Sequence, residues 1–122
     1  MSSLNIVQYI LVRSDLIKEL QWPLGAVIAQ ACHAVTATTH LFHDDEYTKK
    51  YLEDLDNMHK VVLDGLNEQS LLSLQEKLNE ADIKHKLWIE QPENIPTCLV
   101  VKPYPKEEVH RYFKKFKLFK GI

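Results

Sequence analysis

Apolar positions along this chain either run together or recur at fixed intervals, and the two patterns alternate. Residues 6–12, Ile-Val-Gln-Tyr-Ile-Leu-Val, are nearly all apolar and rich in β-branched types, as in a strand buried on both faces. Residues 61–63 and 98–101 are shorter runs of the same kind. In 85–90, His85, Leu87 and Ile89 alternate with Lys86, Trp88 and Glu90, a period-two strand near a sheet edge.

Helical spacing fills the intervals. Over about 23–42, Leu24, Val27, Ile28, Ala31 and Val35 form an apolar stripe. Over about 44–57, Tyr47, Tyr51 and Leu55 recur at fours behind an acidic first turn. Over about 68–81, Leu71, Leu74, Leu78 and Ala81 share a face, and Asn67 suits the cap. Over about 105–116, Val109, Tyr112, Phe113 and Phe116 share another, with Pro105 suited to the first turn.

Strands separated by helices favour parallel crossovers, so the fold class is α/β with about four, mostly parallel strands. The link 91–96 is too short for a crossover. It predicts an antiparallel last pair and therefore a mixed sheet. With 122 residues and no linker or repeat, the expectation is one domain over 1–122.

Composition adds exclusions. No apolar run is long enough to span a bilayer, so no membrane partner is expected. Residues 1–5 lack the basic start and apolar block of a secretory signal. Two cysteines, Cys32 and Cys98, make no disulfide framework, and a reduced, cytoplasmic setting is expected.

Charge is uneven: residues 102–122 are net positive by five, although the whole chain is net negative by two. Lys102, Lys114 and Lys115 belong to this segment, which suits either a nucleic-acid contact or a solvated helix end.

Within 22–34, WPLGAVIAQACHA, Gln30 and His33 are i,i+3 neighbours, with Ala26 one turn before Gln30. The spacing suggests a polar face turned away from Val27, Ile28 and Val35. Gly25 would leave the helix start open to an anion. Against this, Gln30 and His33 could simply bond neighbouring backbone. Cys32 and His33 do not form a nucleophile pair, since adjacent helix residues point about 100° apart. His33, His40 and His43 lack the spacing and third ligand of a zinc site, so no metal is expected. Glu90 ends the third strand and Thr97 begins the fourth, so the short link brings a carboxylate and a hydroxyl to one end of the sheet. Together they could orient water for attack on an ester. A solvated hairpin mouth would look the same.

These stretches resemble a known family. Strand 6–12 with Val12-Arg13-Ser14-Asp15-Leu16 resembles its opening strand and Val-Arg-x-Asp-Leu exit. Residues 25–34 resemble its Gly-Lys-x-x-Ala-Gln-x-x-His-Ala helix, Lys60-Val61-Val62-Leu63 its second strand, and 114–118 its ending around His-Leu-Lys-Leu. The family is the archaeal and eukaryotic type of peptidyl-tRNA hydrolase, and the chain is most similar to its divergent, domain-containing branch.

The resemblance implies a compact α/β/α domain that cleaves the ester between a peptide and the terminal ribose of tRNA, without metal or organic cofactor. Some family members are homodimers. It also implies departures: Ala26 stands where the family has lysine, Glu90 where it has aspartate, and 91–96 lacks its Ala-Gly-Arg-Thr-Gln loop, while Thr97 matches its later threonine. On this reading Glu90, Thr97 and His33 are the catalytic candidates. Gly25, Gln30, Lys18, Lys102, Lys114 and Lys115 are the substrate-binding candidates, with Lys18 or Lys102 supplying the missing charge. The alternative is a binding module for tRNA or a protein partner that keeps the fold without turnover.

Overall fold

The computed structural model describes residues 5–121. Met1 to Leu4, on which the reading of the leader largely rests, lie outside the described residues. Strand β1 (Ile6–Val12) is central. It is followed by a short helix α1 (Asp15–Lys18), the long helix α2 (Leu24–Leu41) and α3 (Glu46–Leu52). Then come β2 (Lys60–Asp64), α4 (Glu68–Glu80), β3 (His85–Glu90), β4 (Ile95–Val101), the two-residue β5 (Tyr104–Pro105) and α5 (Lys106–Val109).

The sheet runs β2-β1-β4-β3. It is mixed, as expected, but its parallel share is smaller: only β1 and β2 are parallel, while β1/β4, β3/β4 and β1/β5 are antiparallel. The cause is that β4 returns directly from β3 and inserts beside β1, so a single helical crossover, through α2 and α3, joins neighbouring strands.

Alternation along β1 sorts the core into two layers. Val7, Tyr9 and Leu11 face Leu71, Leu74 and Leu78 of α4. Ile10 and Val12 face Leu16, Val27 and Ala34 on the α1–α2 side. Both faces of β1 are therefore covered, which explains its near-continuous apolar sequence.

Side chains set the helix starts. The Asp45 carboxylate accepts from Tyr47 N and Thr48 N at 3.0 and 3.1 Å and caps α3, while Asn67 accepts from Ser70 N at 2.9 Å and caps α4. Gly65 lies close to the core: a Cβ there would stand 2.7 Å from Leu71 Cδ2 and 3.3 Å from the Val12 carbonyl.

Three helical expectations are corrected. The 44–57 helix is two pieces, α3 and a 3₁₀ turn at Leu55–Asn57. The 105–116 helix is only α5 followed by a 3₁₀ turn at His110–Tyr112. That tightening delivers Phe113 onto Tyr9, with ring centroids 4.5 Å apart, and lets the chain swing to the free edge of β2. Lys114 and Lys115 therefore lie beyond the helical turns. The stripe on α2 is also rotated: Leu24 and Ile28 are 57% and 56% exposed, and the buried positions are Val27, Gln30, Ala34 and Thr38. Counting apolar residues placed the centre of that stripe one residue away from where it lies, because a buried Gln30 carries no apolar signal.

The tail closes the sheet edge. Asp64 N donates to Lys117 O at 2.8 Å, Phe119 N donates to Val62 O at 3.0 Å, and Leu63 bridges Leu118. Phe116 packs against the α4 layer and Phe119 against the α2 layer, so the tail wraps around β2.

Candidate functional site

The end of β1, the end of β3 and the start of β4 share one rim of the sheet, beneath the first turns of α2. Arg13, buried at the exit from β1, ties the rim together. Its Nε and Nη2 donate to the two oxygens of Asp15, each at 2.9 Å, and its Nη1 donates to Pro96 O at 2.9 Å. Its backbone N donates to Thr97 O. The paired donors hold a planar guanidinium rigidly, which a lysine could not do.

Thr97 occupies an irregularity in the β3/β4 ladder. Trp88 opposes Cys98 and Ile89 opposes Pro96, leaving Thr97 as the extra residue. Simple alternation with Cys98 would turn Thr97 toward the α4 layer. The bulge turns it instead to α2, where Oγ1 donates to Gln30 Oε1 at 2.9 Å. Gln30 Nε2 in turn donates to Ala26 O at 3.1 Å. Thr97 and Gln30 are 0% and 2% exposed, so the Thr97 proton is committed inside the protein.

One strand over, Lys86, Trp88 and Glu90 point to the same α2 side. The Trp88 Nε1–H donates to Glu90 Oε1 at 3.0 Å. His33, exposed on α2, stacks on Trp88 with centroids 5.0 Å apart and planes 16° from parallel. Gln30, His33, Glu90 and Thr97 thus lie on one side of the sheet, in two adjoining sets: a buried Thr97–Gln30 pair, and half-buried Trp88 and Glu90 with exposed His33 stacked on the indole. Beyond its period-two relation to Glu90, Trp88 carries no functional signal in the sequence. Arg13 stands out in the sequence only as part of a motif.

The other candidates disperse. Gly25 is exposed in the first turn of α2. Lys18 lines a hollow of about 200 Å³ with Asp15, Glu19 and Asn67, on the β2 side of the rim. Lys102 lies past the far end of β4, five residues or about 16 Å of strand from Thr97. Its ammonium is 2.9 Å from Asp45 Oδ2 and 3.6 Å from the centre of the Tyr104 ring. Burial lowers its pKa, only partly offset by Asp45. Burial also works on Asp45, but hydrogen bonds from Lys102 and from the backbone of Thr48 and Tyr47 hold its carboxyl below the ordinary value. Contrary to expectation, Lys102 therefore cannot replace a charge beside Glu90. Lys114 and Lys115 are exposed beyond Phe113, which packs in the α4 layer opposite the His33–Trp88–Glu90 set. They do not extend that set.

Cys98 is fully buried, and burial drives its thiol pKa up, so it is core filling. Among the described residues, no three His, Cys, Asp or Glu side chains converge where they could hold a metal ion. No helix among the described residues is long and apolar enough to cross a membrane.

A mixed sheet between two helical layers, with a carboxylate, an imidazole and a bulge-borne threonine gathered at one rim, defines the class: an α/β/α domain with a polar rim under a small-residue helix. The model of the family Peptidyl-tRNA hydrolase PTH2 matches residues 6–119. The Mus musculus protein named "Putative peptidyl-tRNA hydrolase PTRHD1" is 53% identical over 116 residues, covering 94% of this chain and 83% of that one. Its Homo sapiens counterpart of the same name is 52% identical over the same shares. "Probable peptidyl-tRNA hydrolase 2" of Dictyostelium discoideum is 29% identical over 92% of this chain and 54% of its own length. The chain belongs to the PTH2 family of peptidyl-tRNA hydrolases.

Proposed function

We propose that this protein hydrolyses the ester between a peptide and the terminal ribose of tRNA, acting on free peptidyl-tRNA in the cytoplasm. The observation that carries this reading is the Glu90 carboxylate, half-buried and held by the Trp88 N–H on the same side as His33. A carboxylate fixed by one hydrogen bond keeps acceptor capacity to draw a proton from an attacking water. Glu90 orients that water and His33, stacked on Trp88, offers a polar contact. Thr97, buried and bonded to Gln30, is a positioning residue that seats the start of α2 against β4. Its geometry argues against direct contact with the water.

Family membership and the names of the relatives support the reaction class. Single-turnover assay with purified peptidyl-tRNA tests it: cleavage above the buffer rate is expected, and Glu90→Gln should reduce it strongly. No cleavage at high enzyme with binding intact would overturn it.

One feature favours a second reading, a binding module without turnover. Ala26 brings no cation to the rim, and its carbonyl is taken by Gln30. Loss of one oxyanion stabiliser costs about 2.7–4 kcal/mol, or roughly 10²–10³ in rate. Slow but measurable turnover is therefore the expected outcome, and complete inactivity would favour the module.

A further inference from the structure

We propose that the groove between α2 and β3 is a nucleobase subsite, which stacks the unpaired 3′-terminal base of tRNA on the Trp88–His33 pair and so brings the adjoining ribose ester to Glu90. The proposal rests on the hydrolase reading above for the identity of its ligand, and on the groove itself for the chemistry.

The groove has a volume of about 440 Å³ and is lined by Cys32, His33, Thr36, Ala37, His40 and Trp88. That lies within the range of small-ligand sites, about 300–1,000 Å³. Its mostly apolar lining suits the face of a flat aromatic ligand. The imidazole of His33 and the indole of Trp88 are already stacked within 16° of parallel, and proteins that hold unpaired nucleotides use such rings as platforms. The rest of the lining, from Cys32, Thr36, Ala37 and His40, is mostly apolar surface with a few polar atoms. A base covers the outer face of the stacked pair and keeps the donors and acceptors of its edge toward the open, solvated side of the groove.

Trp88 links this groove to the chemistry. The same indole that walls the groove donates its N–H to Glu90 Oε1 at 3.0 Å. A base stacked there leaves its ribose, the carrier of the ester, beside the carboxylate. Trp88 thus contacts substrate with its ring and positions Glu90 with its nitrogen. His33 and His40 are two helical turns apart, about 10.5 Å along α2, and stand at separate places along the groove.

The chain has two tryptophans, so a Trp22→Phe background leaves Trp88 as the only indole reporter. Titration with the trinucleotide CCA should quench its emission saturably. An analogue with an abasic terminal sugar should bind about fivefold or more weakly. By titration calorimetry, which needs no indole, Trp88→Phe should retain CCA affinity and Trp88→Leu should lose it by a similar factor. His33→Ala, at an exposed position, should weaken binding independently of any folding defect. Equal affinity for CCA and the abasic analogue, no quenching on saturation, or CCA affinity unchanged in Trp88→Leu would each overturn the subsite. These readouts need no turnover. Peptidyl-tRNA that quenches Trp88 but is never cleaved removes the hydrolase and keeps the subsite. Cleavage with binding indifferent to Trp88 does the reverse.

Discussion

Thr97 and Gln30 are 67 positions apart in sequence and meet through a 2.9 Å hydrogen bond in a place without solvent. The bond locks the long helix to the sheet because a bulge turns Thr97 out of the alternation of its own strand. Removing the hydroxyl strands a buried amide oxygen.

Thr97→Val should therefore lose about 1–3 kcal/mol of stability, read from urea denaturation. Pairing it with Gln30→Leu should restore part of that loss, since both polar partners then disappear. A Thr97→Val variant as stable as the parent would show that Gln30 finds another donor.

Glu90→Gln keeps the shape of the side chain and removes its charge. If the carboxylate draws the proton from water, the single-turnover rate should fall by about 10²-fold or more while tRNA affinity stays unchanged. An unchanged rate would take Glu90 out of the mechanism.

Asp45 both caps α3 and neutralises buried Lys102. Asp45→Asn preserves the cap, because asparagine caps as well as aspartate, and isolates the ion pair. The expected loss at neutral pH is about 2 kcal/mol, below the roughly 3–5 kcal/mol of a fully buried pair, because the Asp45 side chain keeps 29% exposure. The Asp45 carboxyl titrates below its ordinary value in the folded protein. Its contribution is therefore complete above the unfolded value, about pH 4, and fades as pH falls through the folded value. The stability gap between parent and Asp45→Asn should narrow in that acid window, and a gap constant down to pH 2 would refute the assignment. Adding Lys102→Met to Asp45→Asn should recover stability.

Lys114 and Lys115 lie toward the α4 layer, away from Glu90. Replacing both with alanine should weaken tRNA binding and lower the salt slope by up to about two, if each meets a phosphate, while leaving the saturated cleavage rate untouched. Binding indifferent to salt and to both substitutions would remove this patch from RNA contact.

Gly65 offers a purely structural check. Gly65→Ala places a methyl against Leu71 and the Val12 carbonyl, and should cost about 1–3 kcal/mol by overpacking, measured by thermal or urea unfolding.

The layers were legible because strand and helix periods differ. The run at 6–12 reads as buried on both faces, and the 71, 74, 78 spacing marks the buried side of α4. The antiparallel β3/β4 pair followed from loop length alone. The site was less legible, for physical reasons. A bulge is an extra residue in a ladder, invisible until the partner strand is known, so the direction of Thr97 could not be read from alternation. Gln30 is buried because a threonine on a distant strand satisfies it. Lys102 looked like a surface charge until Asp45, Tyr47 and Tyr104 closed around it. Trp88 was countable as a strand residue, but its hydrogen bond to Glu90 and its stack on His33 depend on where α2 crosses β3.

The C-terminal segment that pairs along β2 makes the sheet one-sided. With Lys117 to Phe119 in place, β2 has a covered flank, whereas β3 pairs only with β4 among the described residues. Among the described residues, the flank of β3 beside Trp88 and Glu90 is the docking line left open to an intruding strand from another molecule. Self-association by strand addition in this protein would therefore crowd the very rim where hydrolysis is proposed.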